Sequence, residues 1–247
     1  MKEWISGRNP VYETLRANRR HVFRLRIARG INEKGRIHDI LKLGDERDLP
    51  VERVQRQQLD SLGKNHQGVC LEASRYPYCP LQDILARAEE RSEPLFVLLL
   101  DTLKDPQNLG TLLRSAEATG VHGILLPHRR TANITPAVVH ASSGASEHML
   151  VASINLAQAI TSLKEAGAWV IGLDGGEGAS PIDQVRLDGP LALVVGSEGG
   201  GMRTLVRRSC DVLLSLPMVG QIESLNAAVA GSVVLYFAMQ ARRIQKT

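Results

Sequence analysis

Five short, uninterrupted apolar runs in the last two-thirds of the chain constrain its architecture most. They are FVLLL (Phe96–Leu100), GILLP (Gly123–Pro127), AWVIGLD (Ala168–Asp174), LALVV (Leu191–Val195) and DVLLSLP (Asp211–Pro217). Runs that are apolar at nearly every position, not at alternate ones, read as strands buried on both faces, the pattern of a parallel sheet. Helical stretches separate them: Asn108–Gly120, Asn155–Gly167, Gly201–Ser209 and Ser224–Arg243. This alternation specifies an α/β domain with right-handed crossovers. In such open sheets ligands bind at the loops beyond the carboxyl ends of the strands.

The first third is different. A short lead-in and then a helix are expected within Ile5–Asn18, a strand over Val22–Ala28, and a helix ending near Gly44. Two further short strands follow, at PVERVQ and Gly68–Ser74. We expect a small α+β domain over 1–75, a linker over 76–91, within a stretch (Arg75–Pro94) that has three prolines and a charged helix, and the α/β domain over 92–247. Residues 1–75 hold 16 Lys and Arg against 10 Asp and Glu. That excess suits an anionic partner, or equally a solvated basic surface. In VFRLRIA the alternation puts Arg24 and Arg26 on one wet face. Three irregularly spaced cysteines give neither a disulfide framework nor a zinc site. No apolar run approaches the roughly 20 residues of a membrane span, and the first residues lack a signal-peptide core. A cytoplasmic setting and no metal are the expectations.

Three of the strand-end segments carry polar residues suited to chemistry. In LLLDTLKDPQNLGTLLRSAEATG, Leu109, Leu112, Leu113 and Ala116 fall on one helical face and should be buried, leaving Asn108 and Arg114 off the core. Asn108 also suits a helix cap, and Arg114 an i,i+3 pair with Glu117, so neither role is settled by spacing. In LALVVGSEGGGM, four glycines in six residues let the backbone approach a ligand closely around Glu198. This is not the dinucleotide GxGxxG pattern. In LPMVGQIESLNAAVA, Ser224 and Asn226 are good capping types at the start of a long helix with small residues on one side. VIGLDGGEG (Val170–Gly178) is expected to be a plain surface turn. ASSGAS (Ala141–Ser146) lacks the GxSxG elbow of a serine hydrolase.

Together, NLGTLLRSAEATGV, VVGSEGGGM and LPMVGQIESLNAAVA resemble, in order and spacing, the three motifs of the SpoU (TrmH-like) RNA ribose 2′-O-methyltransferases of the SPOUT superfamily. The SGRNPV opening, with Arg8, and NHQGV (Asn65–Val69) resemble the L30e/L7Ae-like N-terminal domain of the subgroup that modifies bacterial large-subunit rRNA. The resemblance implies a trefoil-knotted methyltransferase domain, an exception to the rule against threaded loops. It implies S-adenosyl-L-methionine as cofactor, held at Gly196, Leu216, Met218, Gly220 and Leu225. It implies a homodimer in which both subunits shape each site, with the small-residue side of the last helix packing at that interface. The substrate implied is RNA, foremost a guanosine of 23S rRNA, with Arg8, Arg24 and Arg26 as RNA contacts. Arg114 would act on the reacting ribose, and Asn108, Glu198, Ser224 and Asn226 would orient it, the ribose or the cofactor. Gly200 and Ala227–Ala228 depart from common residues of the family. A tRNA ribose methyltransferase and a non-catalytic RNA-binding assembly factor are the alternatives.

Overall fold

The computed structural model describes residues 2–176 and 178–244, which divide into two units. The first comprises residues up to Pro77 together with Asn133–His148; the second comprises Tyr78–Ala132 and residues from Met149 onward.

The first unit holds β1 (Lys2–Ser6), α1 (Arg8–Ala17), β2 (Val22–Ala28), α2 (Arg36–Asp45), β3 (Val51–Val54), α3 (Arg56–Asp60) and β4 (Val69–Ser74). Its sheet runs β1-β4-β2-β3, antiparallel except for the β2–β3 pair. Ile5, Leu25, Ile27 and Leu71 of the sheet are buried, as are Val11 and Leu15 of α1 and Ile37 and Ile40 of α2. Strand β1 and helix α3 are not anticipated by composition, because KEWIS and RQQLD are short and half polar.

The segment Asn133–His148 is the main departure from the expected domain boundaries. It carries a short helix, numbered α6 in chain order (Pro136–Ala141), and a 3-10 turn over Ala145–His148. Its Ile134, Val138 and Val139 are buried, and so are Ser142 and Ser146, which hydrogen-bond each other at 3.2 Å. The ASSGAS stretch is therefore a packed turn. Gly144, at φ +89, lies where an added Cβ would fall 2.6 Å from Glu13 Cβ, so only glycine fits against α1. Glu147 is buried and takes two bonds from the fully buried Arg20, Nε to Oε2 at 2.7 Å and Nη2 to Oε1 at 2.9 Å. Arg20 also reaches Glu3 and the carbonyl of Ser74. One ion-pair network thus ties the segment to β1 and to the end of β4.

The second unit begins with α4 (Leu81–Glu90), whose Leu81, Ile84 and Ala88 lie in its core. The helix expected to be a linker is therefore part of the domain, because its apolar residues recur at helical spacing and pack. There follow β5 (Phe96–Leu100), α5 (Pro106–Ala118), β6 (Gly123–Leu126), β7 (Val151–Ser153), α7 (Leu156–Glu165), β8 (Trp169–Leu173), the two-residue β9 (Ser180–Pro181), β10 (Leu191–Val195), α8 (Thr204–Ser209), β11 (Val212–Ser215) and α9 (Ala227–Ile244). The sheet order is β7-β6-β5-β10-β8-β11-β9, parallel throughout. All five apolar runs are strands, and every residue of β5 and β10 is buried. Leu109, Leu112, Leu113 and Ala116 of α5 are fully buried, as their periodicity requires. Among the described residues no helix is long and apolar enough to cross a membrane.

Removing Glu147 leaves the Arg20 guanidinium buried without its main counter-charge. Glu147→Ala should destabilise the first unit by about 3–5 kcal/mol, read as a lowered urea midpoint. An unchanged midpoint would show that the pair carries no such burden.

Candidate functional site

The order of the large sheet decides where a site can form. From β5 the chain moves outward through β6 and β7, then returns so that β10 pairs with β5 on its other side. The carboxyl ends of β5 and β10 are therefore a topological switch point, where loops leave in opposite directions and open a crevice. Asn108 follows β5, Glu198 follows β10, and Asn226 precedes α9 on the chain leaving β11.

These three side chains meet. Asn108 Nδ2 donates to Glu198 Oε1 at 2.9 Å, and Asn226 Nδ2 donates to Asn108 Oδ1 at 3.1 Å and to the same Glu198 oxygen. Asn226 Oδ1 meanwhile accepts from the backbone N–H groups of Ala228 (2.9 Å) and Val229 (3.1 Å), capping α9. Asn108 is not the cap of α5. Asp105 takes that role, accepting from the N–H groups of Gln107 and Asn108, with Pro106 at the first helical position. That leaves the Asn108 carboxamide to reach across to Glu198.

The loop bearing Glu198 is held from both sides. Ser197 and Gly201 exchange backbone hydrogen bonds of 3.0 and 2.9 Å, with Gly199 and Gly201 at positive φ. Gly196 lies so close beneath that an added Cβ would fall 2.3 Å from the Gly201 carbonyl carbon. Asp101, fully buried at the end of β5, accepts from Arg203 N (2.8 Å) and Arg203 Nε (2.7 Å). This carboxylate fastens the glycine loop to the neighbouring strand end, a role its position after FVLLL does not announce.

Two cavities adjoin at Glu198. One, of about 340 Å³, is lined by Leu173–Gly175 after β8, Gly196–Gly199 after β10, Leu216 and Met218 after β11, and Ser224, Leu225 and Ala230 around the start of α9. The other, of about 410 Å³, is lined by Thr102, Lys104, Asp105, Asn108, Arg130 and Glu198 among others. Glu198 borders both. Of the residues expected to hold a cofactor, Gly196, Leu216, Met218 and Leu225 line the first cavity; Gly220 does not. The stretch expected to be a surface turn contributes Leu173, Asp174 and Gly175 to that wall. The signal in the sequence is a strand ending in glycines, which by itself suits a surface turn as well as a cavity wall.

Arg114 stands apart. It is exposed on α5, six residues beyond Asn108, and lines neither cavity. The small residues of α9 also differ from expectation. An added Cβ at Gly231 would lie 2.7 Å from Leu112 Cδ2 of α5, so this side packs within the chain. The opposite side of α9 exposes Val229, Tyr236, Phe237 and Ile244, spaced along one helical stripe. The thiols offer no nucleophile: burial pushes Cys210 up to about 11, and Cys70 in the first unit up to about 12.

Of the residues expected to contact RNA, Arg24 and Arg26 are held in cross-strand pairs. Arg24 sits opposite Glu72 and Arg26 opposite Glu52 in register, with N–O distances of 2.9 and 2.7 Å, and both guanidinium groups lie over the Trp4 ring. The wet basic face of β2 is thus largely neutralised. Arg8 donates through Nε to the Gln67 carbonyl.

The SpoU rRNA Methylase family model matches residues 95–236, and a model described as RNA 2′-O ribose methyltransferase substrate binding matches residues 4–79. The Bacillus subtilis protein YacO, assigned to the TrmH family of tRNA/rRNA methyltransferases, is 42% identical over 95% of this chain and 94% of its own. Among solved structures, the SpoU methyltransferase AviRb of Streptomyces viridochromogenes, in complex with AdoMet, superposes with TM-score 0.80 at 24% identity, covering 99% of this chain and 91% of its own. An AdoMet-bound rRNA methyltransferase of Sinorhizobium meliloti gives 0.79 at 24% identity over 97% and 87%.

Gly196 and Gly200 separate backbone crowding from glycine content. Gly196→Ala must push the Gly201 backbone away and should lose about 1–3 kcal/mol. Gly200→Ala, whose added Cβ meets nothing nearer than the Ser197 hydroxyl at 3.1 Å, should lose far less. Urea unfolding of the two variants compares them; equal losses would contradict the packing described.

Proposed function

Because the chain belongs to the SpoU rRNA methylase family, we propose that it transfers a methyl group from S-adenosyl-L-methionine to a ribose 2′-hydroxyl of RNA, with a guanosine of 23S rRNA as the acceptor. The observation that carries this reading is Glu198, which borders two adjoining cavities and is held there by the carboxamides of Asn108 and Asn226. Transfer between two substrates needs two adjoining sites with a fixed group between them.

The first cavity suits the cofactor. Its floor is backbone at Gly196, where no side chain fits, and its mouth is apolar at Leu216, Met218 and Leu225. Such a site accepts an adenine and ribose through backbone groups and shape. When bound, the cofactor supplies an electrophilic methyl on a sulfonium whose departing thioether is neutral. The chain's own task is then to place the ribose hydroxyl and manage its proton. The second cavity suits the acceptor, with Lys104 and Arg130 as cations for its flanking phosphates. Glu198, fixed by two carboxamides, orients the group between the cavities, and Ser224, which lines the first cavity, would help to hold the cofactor there. We assign Arg114 to the developing alkoxide and the adjacent phosphate, as a stabiliser. A guanidinium with pKa above about 12 is a poor base.

Arg114 lines neither cavity of its own chain, and α9 is apolar on two sides. Exposed apolar side chains gathered on one stripe mark an interaction surface. We take both as support for a homodimer in which the Val229–Tyr236–Phe237 stripe is buried and Arg114 serves a site shaped by two protomers. The C-terminal knot and a cytoplasmic setting belong to the same reading. The substrate-binding match over residues 4–79 supports an RNA acceptor, and the added N-terminal unit is our reason for taking rRNA before tRNA.

Arg114→Ala should retain cofactor affinity by calorimetry and lose at least about a hundredfold in single-turnover methyl transfer, the size of losing one charge-stabilising donor. Wild-type turnover would remove Arg114 from the mechanism. Tyr236→Glu with Phe237→Glu should convert a dimer to monomers in sedimentation velocity and reduce transfer with it. A double variant that sediments as wild type would place the interface elsewhere.

A further inference from the structure

The two N-terminal motifs, SGRNP and NHQG, converge in the first unit, and the site described above does not use them. Gly7 N donates to the Val69 carbonyl, Arg8 N to Gln67 Oε1 at 3.1 Å, and an added Cβ at Gly63 would fall 2.6 Å from the Ser6 hydroxyl. Between them opens a cavity of about 480 Å³ lined by Arg56, Asp60, Asn65, His66, Gln67 and His140. That volume is within the roughly 300–1,000 Å³ of small-ligand sites. The last of these residues comes from α6, the segment that the chain sends out from between β6 and β7.

Three observations point to a ligand. Asn65 and Gln67 both have positive φ, 59° and 51°, followed by Gly68 at 84°. Non-glycine residues held this way cost energy and cluster at binding sites. His66 is buried and locked, its Nδ1 accepting from Gly68 N at 2.9 Å and its Nε2 donating to Asp60 at 2.9 Å. This fixes Asp60 and the backbone that presents the two carboxamides. His140 is the opposite case. Where His66, His122 and His148 each pair with a carboxylate, His140 Nδ1 is enclosed behind Gly7 with no hydrogen-bond partner among the described residues. A buried, unpaired nitrogen is costly, and no protein hydrogen bond to it fixes the ring, so rotation about its Cβ–Cγ bond can turn it toward an incoming group.

Resting on the reading of the chain as an RNA methyltransferase, we propose that this pocket receives an unpaired nucleotide of the substrate RNA, separate from the nucleotide that is methylated. Sequence-specific proteins read RNA at splayed, unstacked bases through hydrogen bonds to their edges. The Asn65 carboxamide and the His140 imidazole offer both donors and acceptors to such an edge, and Gln67, whose Oε1 already accepts from Arg8 N, offers its amide donors. The Asp60 carboxylate in the wall disfavours a phosphate inside, so the base enters and its phosphate stays outside at the exposed Arg56. The pocket would thus select the RNA while the other unit does the chemistry.

The test uses the full-length protein, S-adenosylmethionine and unmodified 23S rRNA and tRNA transcripts, with base-edge footprinting by dimethyl sulfate and carbodiimide. Wild-type protein is expected to protect the edge of one unpaired base besides the acceptor. His140→Ala and Asn65→Gly, the latter compatible with the positive φ, should each lose that protection. Each should raise KM for RNA about five- to tenfold, the worth of one or two hydrogen bonds, with kcat at saturating RNA and cofactor affinity unchanged. Circular dichroism melts identify the folded variants. If either folded variant keeps wild-type KM and footprint, the pocket is not a reading site, whatever the enzyme's activity. If wild-type protein neither binds nor methylates either RNA, the underlying reading falls and takes the pocket with it.

Discussion

One carboxylate oxygen holds the candidate site together. Glu198 Oε1 accepts from carboxamides on two chain segments, one in the first turn of α5 and one capping α9. Each of those helices follows a different strand, so the contact fixes three strand ends at once. It depends on the glycine loop, where the approach of Gly196 to Gly201 leaves no room for a side chain, and on Asp101, which grips Arg203. A carboxylate that accepts two charge-assisted hydrogen bonds is set in orientation before any substrate arrives. Such preorganisation is what a transfer reaction between neutral and cationic partners most needs from a protein.

Much of this was legible in the amino-acid sequence. The uninterrupted apolar runs gave the parallel strands, since a strand buried on both faces needs no alternation. The i, i+3, i+4, i+7 spacing of Leu109, Leu112, Leu113 and Ala116 gave the buried side of α5. The three glycine-punctuated loops drew attention to Asn108, Glu198 and Asn226, which the fold brings together. What stayed hidden depends on partners distant in sequence. Nothing local in FRLRI shows that Glu52 and Glu72 lie opposite Arg26 and Arg24, because register is set by the fold. Asp105, not Asn108, caps α5, and both residue types suit that task. Asp174 and Gly175 line a cavity only because β8 lies between β10 and β11.

The segment Asn133–His148 is the clearest case of a boundary that one-dimensional reading misplaces. It lies within a run of α/β alternation, yet its apolar residues and Glu147 are buried with β1, α1 and Arg20. The chain therefore passes between the two units three times, at 77/78, 132/133 and 148/149. The same segment supplies His140 to the pocket formed by the N-terminal motifs.

The most direct test of the central claim is the chemical form of the product. Protein incubated with methyl-labelled S-adenosylmethionine and unmodified 23S rRNA would be digested with alkali, which cannot cleave beside a 2′-O-methyl ribose. The label is expected in a single alkali-resistant dinucleotide containing guanosine. Label released as ordinary mononucleotide would mean methylation of a base, and would contradict the assignment of the two adjoining cavities to a cofactor and a ribose.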